Sequence, residues 1–333
     1  MGATARLSPG PILAVGGSMF DVCVIGPVVW DRNFHGNLER KPRPGGVAYY
    51  ASMTYCRLGL GTAVVTKVAA NDEWALLREL RSSGVEVFNL PTQTTTTFEN
   101  HYSADNFDVR VQRVGSRAEV IRLTEFPEIR ANTVHFGPLT PDDIELDIMV
   151  PGLSPFSTIA LDAQGLVREI VDGAVVAKER VDHGHWLQFV DVLKVDTQEL
   201  LIYAGSASPS NAVRGLLARG VDELVVTEGS QGSTVFRDGN SFRIDAIRPR
   251  RSVDVTGCGD TFLAAYMAKR MTSEDIEECG GFASSAASIN LESSGPFKGT
   301  EKDVLRKLET WERDEHSSAR ASQWRIDGPV YDG

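Results

Sequence analysis

The chain has 333 residues and a formal net charge of −11, with 42% hydrophobic and 24% charged residues. That length suits one large α/β domain carrying an insertion, and the composition is that of a soluble globular protein. The acidic balance argues against a general nucleic-acid binder, which needs Lys/Arg surfaces, and no apolar run approaches the ~20 residues that span a bilayer. Cys23, Cys56, Cys258 and Cys279 show neither C-x-x-C pairing nor metal-ligand spacing. Free thiols in a reducing, cytoplasmic setting are the expectation. The MGATARLSPG start lacks a signal-peptide core.

In chain order, PILAVGGSMFDVCVIG reads as a strand broken by Gly16-Gly17, with Asp21 where the run leaves the core. Residues 31–44 are polar. Gly45-Gly46 then opens a helix pattern in which Ala48, Ala51, Tyr55 and Leu58 recur at helical spacing. TAVVTKVA is a buried strand. NDEWALLRELRSSG is a helix, with Asn71 or Asp72 as its cap. From Thr94 to Arg122 the pattern changes to Thr, Val, Phe and Tyr with alternation and turns, which predicts antiparallel strands with one solvated face. After that, short apolar runs alternate with helical patterns, including a helical 168–190 and a helix over 208–219. This rhythm predicts a parallel sheet covered by helices, with ligands at the carboxyl ends of its strands. From Lys302 onward the chain is strongly polar, a terminal helix followed by a tail.

The sharpest chemical signal is DVTGCGDTFLAAYMA, Asp254 to Ala268. Glycines at the mouth of a helix let backbone N–H groups face an anion, and the helix dipole favours negative charge there. A carboxylate inside such a site repels phosphate unless it is placed to take a proton from an attacking hydroxyl. The local reading is phosphoryl transfer, with an anion hole at Gly257, Cys258 and Gly259 and Asp260 as base. No G-x-x-x-x-G-K-[ST] is present, so a P-loop is excluded. In VVTEGSQGS a β-branched strand ends at Thr227, and Gly229 and Gly232 follow in a turn, open to two readings: a nucleotide loop or a simple hairpin.

The order of GG at 45–46, DTQE at 196–199, TEGSQG at 227–232 and D-x-T-G-x-G-D at 254–260 resembles the ribokinase-like (PfkB) family of carbohydrate kinases. The resemblance covers about residues 11–298. It implies a three-layer α/β sandwich with a mostly parallel central sheet and a small β-sheet lid. The kinase domain would span 11–300, with lid insertions at about 22–44 and 94–122, and 301–333 would be a polar helix and tail.

Further roles follow from the resemblance position by position. Asp260 aligns with the catalytic base, and 257–259 with the anion hole. Asp21 aligns with a carboxylate that binds acceptor hydroxyls, and Gly45 and Gly46 with the dipeptide where the lid hinges. Glu199 aligns with a glutamate that organises Mg2+ through water, beside Asp196. Thr227, Gly229, Gly232, Thr256 and Ser284 fall on the nucleotide side. Asp254 aligns either with a monovalent-cation (K+) site or with a turn-fixing role. The cofactors implied are therefore ATP and Mg2+, with K+ at Asp254.

Three departures stand out: Asp196 replaces an Asn, Tyr50 replaces an Asn that reaches the sugar, and Cys258 replaces a common Ala. A thiol at a helix N-terminus can have a lowered pKa, so Cys258 reads either as reactive or as a small residue that fits. TTTTFENHY, FGPLTPDD and LDAQGLVR are most similar to the inositol-kinase-like branch. Asn100 and Tyr102 on a lid strand, and Gln164 and Arg168 after a strand end, are the candidate acceptor contacts. The expected acceptor is a small polyol or sugar, first of all a myo-inositol-like cyclitol. Free sugars, nucleosides and a catalytically silent sugar or nucleotide sensor are the alternatives. Exposed edges of the lid suggest a homodimer.

Overall fold

The computed structural model describes residues 19–35, 38–39, 41–102, 110–126, 129–153, 155–178, 181 and 184–323. The Gly16-Gly17 break, the side chain of Tyr102 and the tail beyond residue 323 lie outside the described residues. The chain opens with β1 (Met19–Ile25), then β2 (Val29–His35), β3 (Leu38–Glu39) and β4 (Arg43–Gly45). Helix α1 (Val47–Arg57), β5 (Thr62–Lys67), α2 (Ala70–Ser83) and β6 (Glu86–Leu90) follow. Next come β7 (Thr97–Tyr102), β8 (Arg110–Ser116), β9 (Arg130–Phe136), α3 (Leu146–Leu153), β10 (Thr158–Asp162), β11 (Arg168–Val171) and β12 (Ala174–Ala177). The remainder is β13 (Val192–Asp196), α4 (Thr197–Ala204), α5 (Pro209–Leu217), β14 (Glu223–Thr227), β15 (Ser233–Arg237), β16 (Asn240–Ile244), α6 (Cys258–Arg270), α7 (Ile276–Leu291) and α8 (Glu301–Gln323).

The large sheet has the order β16-β15-β14-β13-β10-β9-β1-β5-β6. It is parallel from β6 to β14 and antiparallel at β15 and β16. Successive side chains of a strand point to opposite faces. In β1, Val22 and Val24 enter a core built with α1, α6 and α7, while Cys23 and Ile25 enter the core on the other face with α3, α4 and α5. Both faces are therefore apolar, as a helix-covered parallel sheet requires, and the architecture is an α/β three-layer sandwich. No helix among the described residues is long and apolar enough to cross a membrane.

The second sheet, the lid, has the order β11-β12-β8-β7-β2-β3, with β4 on β2. It differs from expectation at three places. Residues 22–25 belong to the large sheet, so the first lid segment starts at Val29. The second spans the hairpin 97–116. A third segment, 168–177, forms β11 and β12, where the pattern suggested helix. The run REIVDGAVVA places β-branched residues on both sides of Asp172-Gly173, both at positive φ, and this Asp-Gly turn is a hairpin signal. Helix α2 begins at Ala70 with Ala69 as its cap, so Asn71 and Asp72 lie within its first turn. There Asp72 faces the positive end of the helix dipole.

Candidate active site

A cavity of ≈ 320 Å³ lies between the inner face of the lid and the carboxyl ends of the large sheet. The lid contributes Asp31, Asn33, Asn100 and Gln112. The large domain contributes Gly46, Tyr50, Gln164, Lys194 and residues 255–260, and Arg168 enters from lid strand β11. Of the candidate acceptor contacts, Asn100, Tyr50, Gln164 and Arg168 thus meet in one place, and Arg168 does so as the first residue of a lid strand.

Asp21 does not line this cavity. It stands near the amino end of β1, where Oδ2 accepts the Gly61 N–H at 2.8 Å. The lid carboxylate that does line the cavity is Asp31, ten residues on. The long apolar run concealed this, because DVCVIG fills the strand and the exit from the core comes after Ile25. Asp31 also accounts for Gly45: a Cβ there would lie 2.0 Å from Asp31 Oδ2, so only glycine lets the carboxylate pack against β4.

Beyond Asp31 the inner face of the lid is a ladder of carboxamides. Asn100 Nδ2 donates to Asn33 Oδ1 at 3.0 Å, and Gln112 Nε2 donates to Asn100 Oδ1 at 3.0 Å. Register puts the three side by side, Asn33 opposite Asn100 and Asn100 opposite Gln112. Nearer the hinge, the lid turns Val29 and Phe98 inward, with Val114 and Val175 packed against them. The outer face carries the Arg32–Glu99 ion pair at 2.7 Å and the stack of Phe34 on His101.

The signature loop ends in α6. Gly257 is its cap at φ 76°, and a Cβ there would fall 2.3 Å from the Tyr50 ring. Tyr50 is 1% exposed, and its Oη has no hydrogen-bond partner among the described residues. The start of the 257–259 turn therefore rests directly on Tyr50. At the helix mouth the first N–H groups lack intrahelical acceptors, although Cys258 N donates to Val255 O at 3.3 Å. Cys258 is not an activated thiol. Burial pushes its pKa up to about 11, outweighing a hydrogen bond from Asn290, and the charges of Asp260 and Asp254 act in the same upward direction.

Asp260 occupies the first turn of α6. Burial and then the charge of Asp162 raise its pKa to about 7, against the opposing pull of Lys194. A carboxylate so tuned is suited to general-base work near neutrality. Lys194, 5% exposed, donates from Nζ to Asp162 Oδ2 at 3.1 Å. Burial acts to lower its pKa, but Asp162, Glu199 and Asp260 outweigh it, and the ammonium is held charged. Sequence reading missed both Asp162 and Lys194. The available signal was a lysine in the middle of the apolar strand DVLKVD, since a buried charge requires a counter-charge.

Asp196 and Glu199 form a reciprocal capping box on α4: Glu199 N donates to Asp196 Oδ1 and Asp196 N to Glu199 Oε2, each at 2.7 Å. One oxygen of Glu199 is thus committed to the helix. Asp254 is held by Arg43 of the lid, at 2.7 Å. Sequence reading also missed Arg43.

A second, larger cleft of ≈ 1200 Å³ borders residues 245–250 and the end of α7. Ser230 and Gln231 line it, so the 227–232 turn contributes these side chains rather than Thr227, Gly229 or Gly232. The turn is also the hairpin between β14 and β15. Ser284 does not line the cleft but braces its wall, accepting the Ile247 N–H at 3.0 Å and donating to Asp245 O at 2.8 Å. The far wall comes from α8, with Arg306, Lys307 and Trp311. Thr256 faces the smaller cavity.

Residues 162–303 match the pfkB family of carbohydrate kinases. A nucleoside kinase of Methanothermobacter thermautotrophicus is 27% identical over 307 residues, covering 85% of this chain and 90% of the relative. The structure of a pyrophosphate-dependent kinase in the ribokinase family, complexed with a pyrophosphate analog and myo-inositol, superposes with a TM-score of 0.74 at 26% identity, covering 86% of this chain and 99% of that one. Arabidopsis thaliana ribokinase complexed with ribose and ATP superposes at 0.68 and 20% identity, over 88% and 99% of the two chains, and so shares the fold. With the D-x-T-G-x-G-D loop at the mouth of α6 and a lid over the smaller cavity, the chain has the ribokinase-like fold, and its residues 162–303 carry a PfkB family carbohydrate kinase domain.

Proposed function

We propose that the protein transfers the terminal phosphoryl group of ATP to a hydroxyl of a cyclitol of the myo-inositol type. The observation that carries this reading is the carboxamide ladder Asn33–Asn100–Gln112 beside Asp31 in a cavity of ≈ 320 Å³. Amides donate and accept at once, and a carboxylate accepts two hydroxyls, so this wall suits a ring hydroxylated all round. A likeness to a kinase complexed with myo-inositol supports the same acceptor.

Asp260 takes the proton of the attacking hydroxyl as its oxygen bonds to the terminal phosphorus. The bond from that phosphorus to the bridging oxygen breaks, and ADP leaves. N–H groups at 257–259 stabilise the charge on the transferring group, and one good donor of this kind is worth about 3 kcal/mol. Among the described residues no cluster of three or more His, Cys, Asp or Glu can hold a metal. Glu199, beside Asp196, would hold Mg2+ through water, and the ion would supply charge that neutralises the donor phosphates. Closure of the lid excludes water from the transfer.

Pyrophosphate is the competing donor, because one structural relative uses it. The volume of the second cleft and the ring of Trp311 in its wall favour a nucleotide. The test is turnover of ATP and of pyrophosphate against inositols, hexoses, pentoses and nucleosides. A cyclitol with ATP as the best pair is expected; a nucleoside preferred by tenfold or more overturns the acceptor assignment. We further propose that the edge strands of the lid pair two copies in a homodimer.

A further inference from the structure

We propose that Arg43 is a built-in replacement for the monovalent cation that the resemblance implies at Asp254, so that the enzyme turns over without potassium. This rests on the kinase reading above. Arg43 Nη1 donates to Asp254 Oδ2 at 2.7 Å and to Ser294 Oγ at 2.9 Å, and Nη2 donates to Thr256 Oγ1 at 3.2 Å. The other carboxylate oxygen, Oδ1, accepts the Thr256 N–H at 3.0 Å, and Ser294 Oγ also donates to Oδ2 at 3.0 Å. A hard cation at Asp254 would need these same oxygens. The guanidinium already holds them in a forked, charge-assisted arrangement and stays charged at every working pH. A potassium ion would have to displace it or sit against it, so the residues present do not fit that ion.

Placement gives the substitution a purpose. Arg43 pairs directly with Asp31 across β2 and β4. One lid hairpin thus carries both the acceptor carboxylate and the cation that fixes the start of the phosphoryl-transfer loop. Thr256, which Arg43 and Asp254 both hold, immediately precedes Gly257. Arg43 is therefore a positioning residue, and it ties the lid to the anion hole with a fixed charge rather than a diffusible one.

The experiment compares wild type, Arg43→Ala and Arg43→Lys in KCl and in tetramethylammonium chloride at equal ionic strength, about 0.1 M. Wild-type turnover should differ by less than about twofold between the salts, whereas a tenfold activation by potassium overturns the proposal. Arg43→Ala should lose about 10–100-fold in kcat with little change in donor KM. Guanidinium chloride should restore part of the loss, and Arg43→Lys should retain more than Arg43→Ala. Wild-type kcat in Arg43→Ala overturns the proposal. Thermal melts test the same idea without turnover: wild type should melt at one temperature in both salts, and Arg43→Ala should gain a potassium-specific rise. A potassium-specific rise in wild type overturns the assignment of Arg43. Wild type inert toward every donor and acceptor, yet with these melts, overturns the kinase reading and upholds the assignment.

Discussion

Asp260→Asn should destroy turnover and stabilise the fold, and the two effects share one cause. The carboxyl pKa rises from an ordinary 3.8 to about 7 because the group is buried beside Asp162. The folded state thus binds one proton more than the unfolded chain between those limits. That contribution to stability is complete below pH 3.8 and is lost as pH rises through 7. In full, the ionised form costs roughly 4 kcal/mol. Lys194 and Asp162 readjust when the charge is removed, so about 1–3 kcal/mol should survive in the variant. For a domain of this size that is a rise of several degrees in Tm. Thermal melts at pH 4, pH 5 and pH 8 check it: the variant should exceed wild type at pH 8, by less than half as much at pH 5, and match it near pH 4. Its kcat should fall about 10²–10⁴-fold at every pH, and wild-type kcat/KM should climb to a plateau above pH 7. A variant less stable than wild type at pH 8, or a gap independent of pH, refutes the reasoning.

Other outcomes follow from the same geometry. Asp31→Asn should raise acceptor KM by about 10–100-fold, the worth of a charged hydrogen bond, while Asp21→Asn, remote from the cavity, leaves steady-state kinetics unchanged. Gly257→Ala must move the Tyr50 ring from 2.3 Å and adopt φ 76°; we expect a loss of roughly 1–3 kcal/mol in denaturant melts together with loss of turnover. Lys194→Met strands the buried Asp162 without its cation, a cost of about 3–5 kcal/mol in the same melts, and any remaining activity should shift to higher pH. Cys258, raised to about 11, should react with iodoacetamide at pH 7.5 far more slowly than a free thiol, as followed by mass spectrometry.

The large sheet and the transfer loop were legible in the sequence because their signals are local. A buried parallel strand is a continuous apolar run, and a helix mouth that holds an anion needs its glycines in fixed order. The lid was legible only where strands and turn fell within one segment, as in 97–116. Its third hairpin, 168–177, is a short run without alternation and gains its strand character from β8, far away in sequence. The lid carboxylate of the cavity, Asp31, was missed for a similar reason. Asp21 and Asp31 both follow apolar residues, and only the sheet register decides which leaves the core at the ligand edge. Arg43 and Lys194 act through partners 211 and 32 residues distant, and no local pattern announces such pairs.

In the proposed reaction Asp260, the 257–259 helix mouth and the lid cavity together move a phosphoryl group onto a small hydroxylated acceptor. The most direct measurement is transfer of label from γ-labelled ATP to myo-inositol by wild type and by Asp260→Asn, with ATP binding measured in parallel. We predict a labelled cyclitol phosphate from wild type, and transfer slowed by orders of magnitude in the variant at unchanged ATP affinity. Equal transfer by both proteins, or none by wild type to any hydroxyl acceptor from ATP or pyrophosphate, contradicts the account.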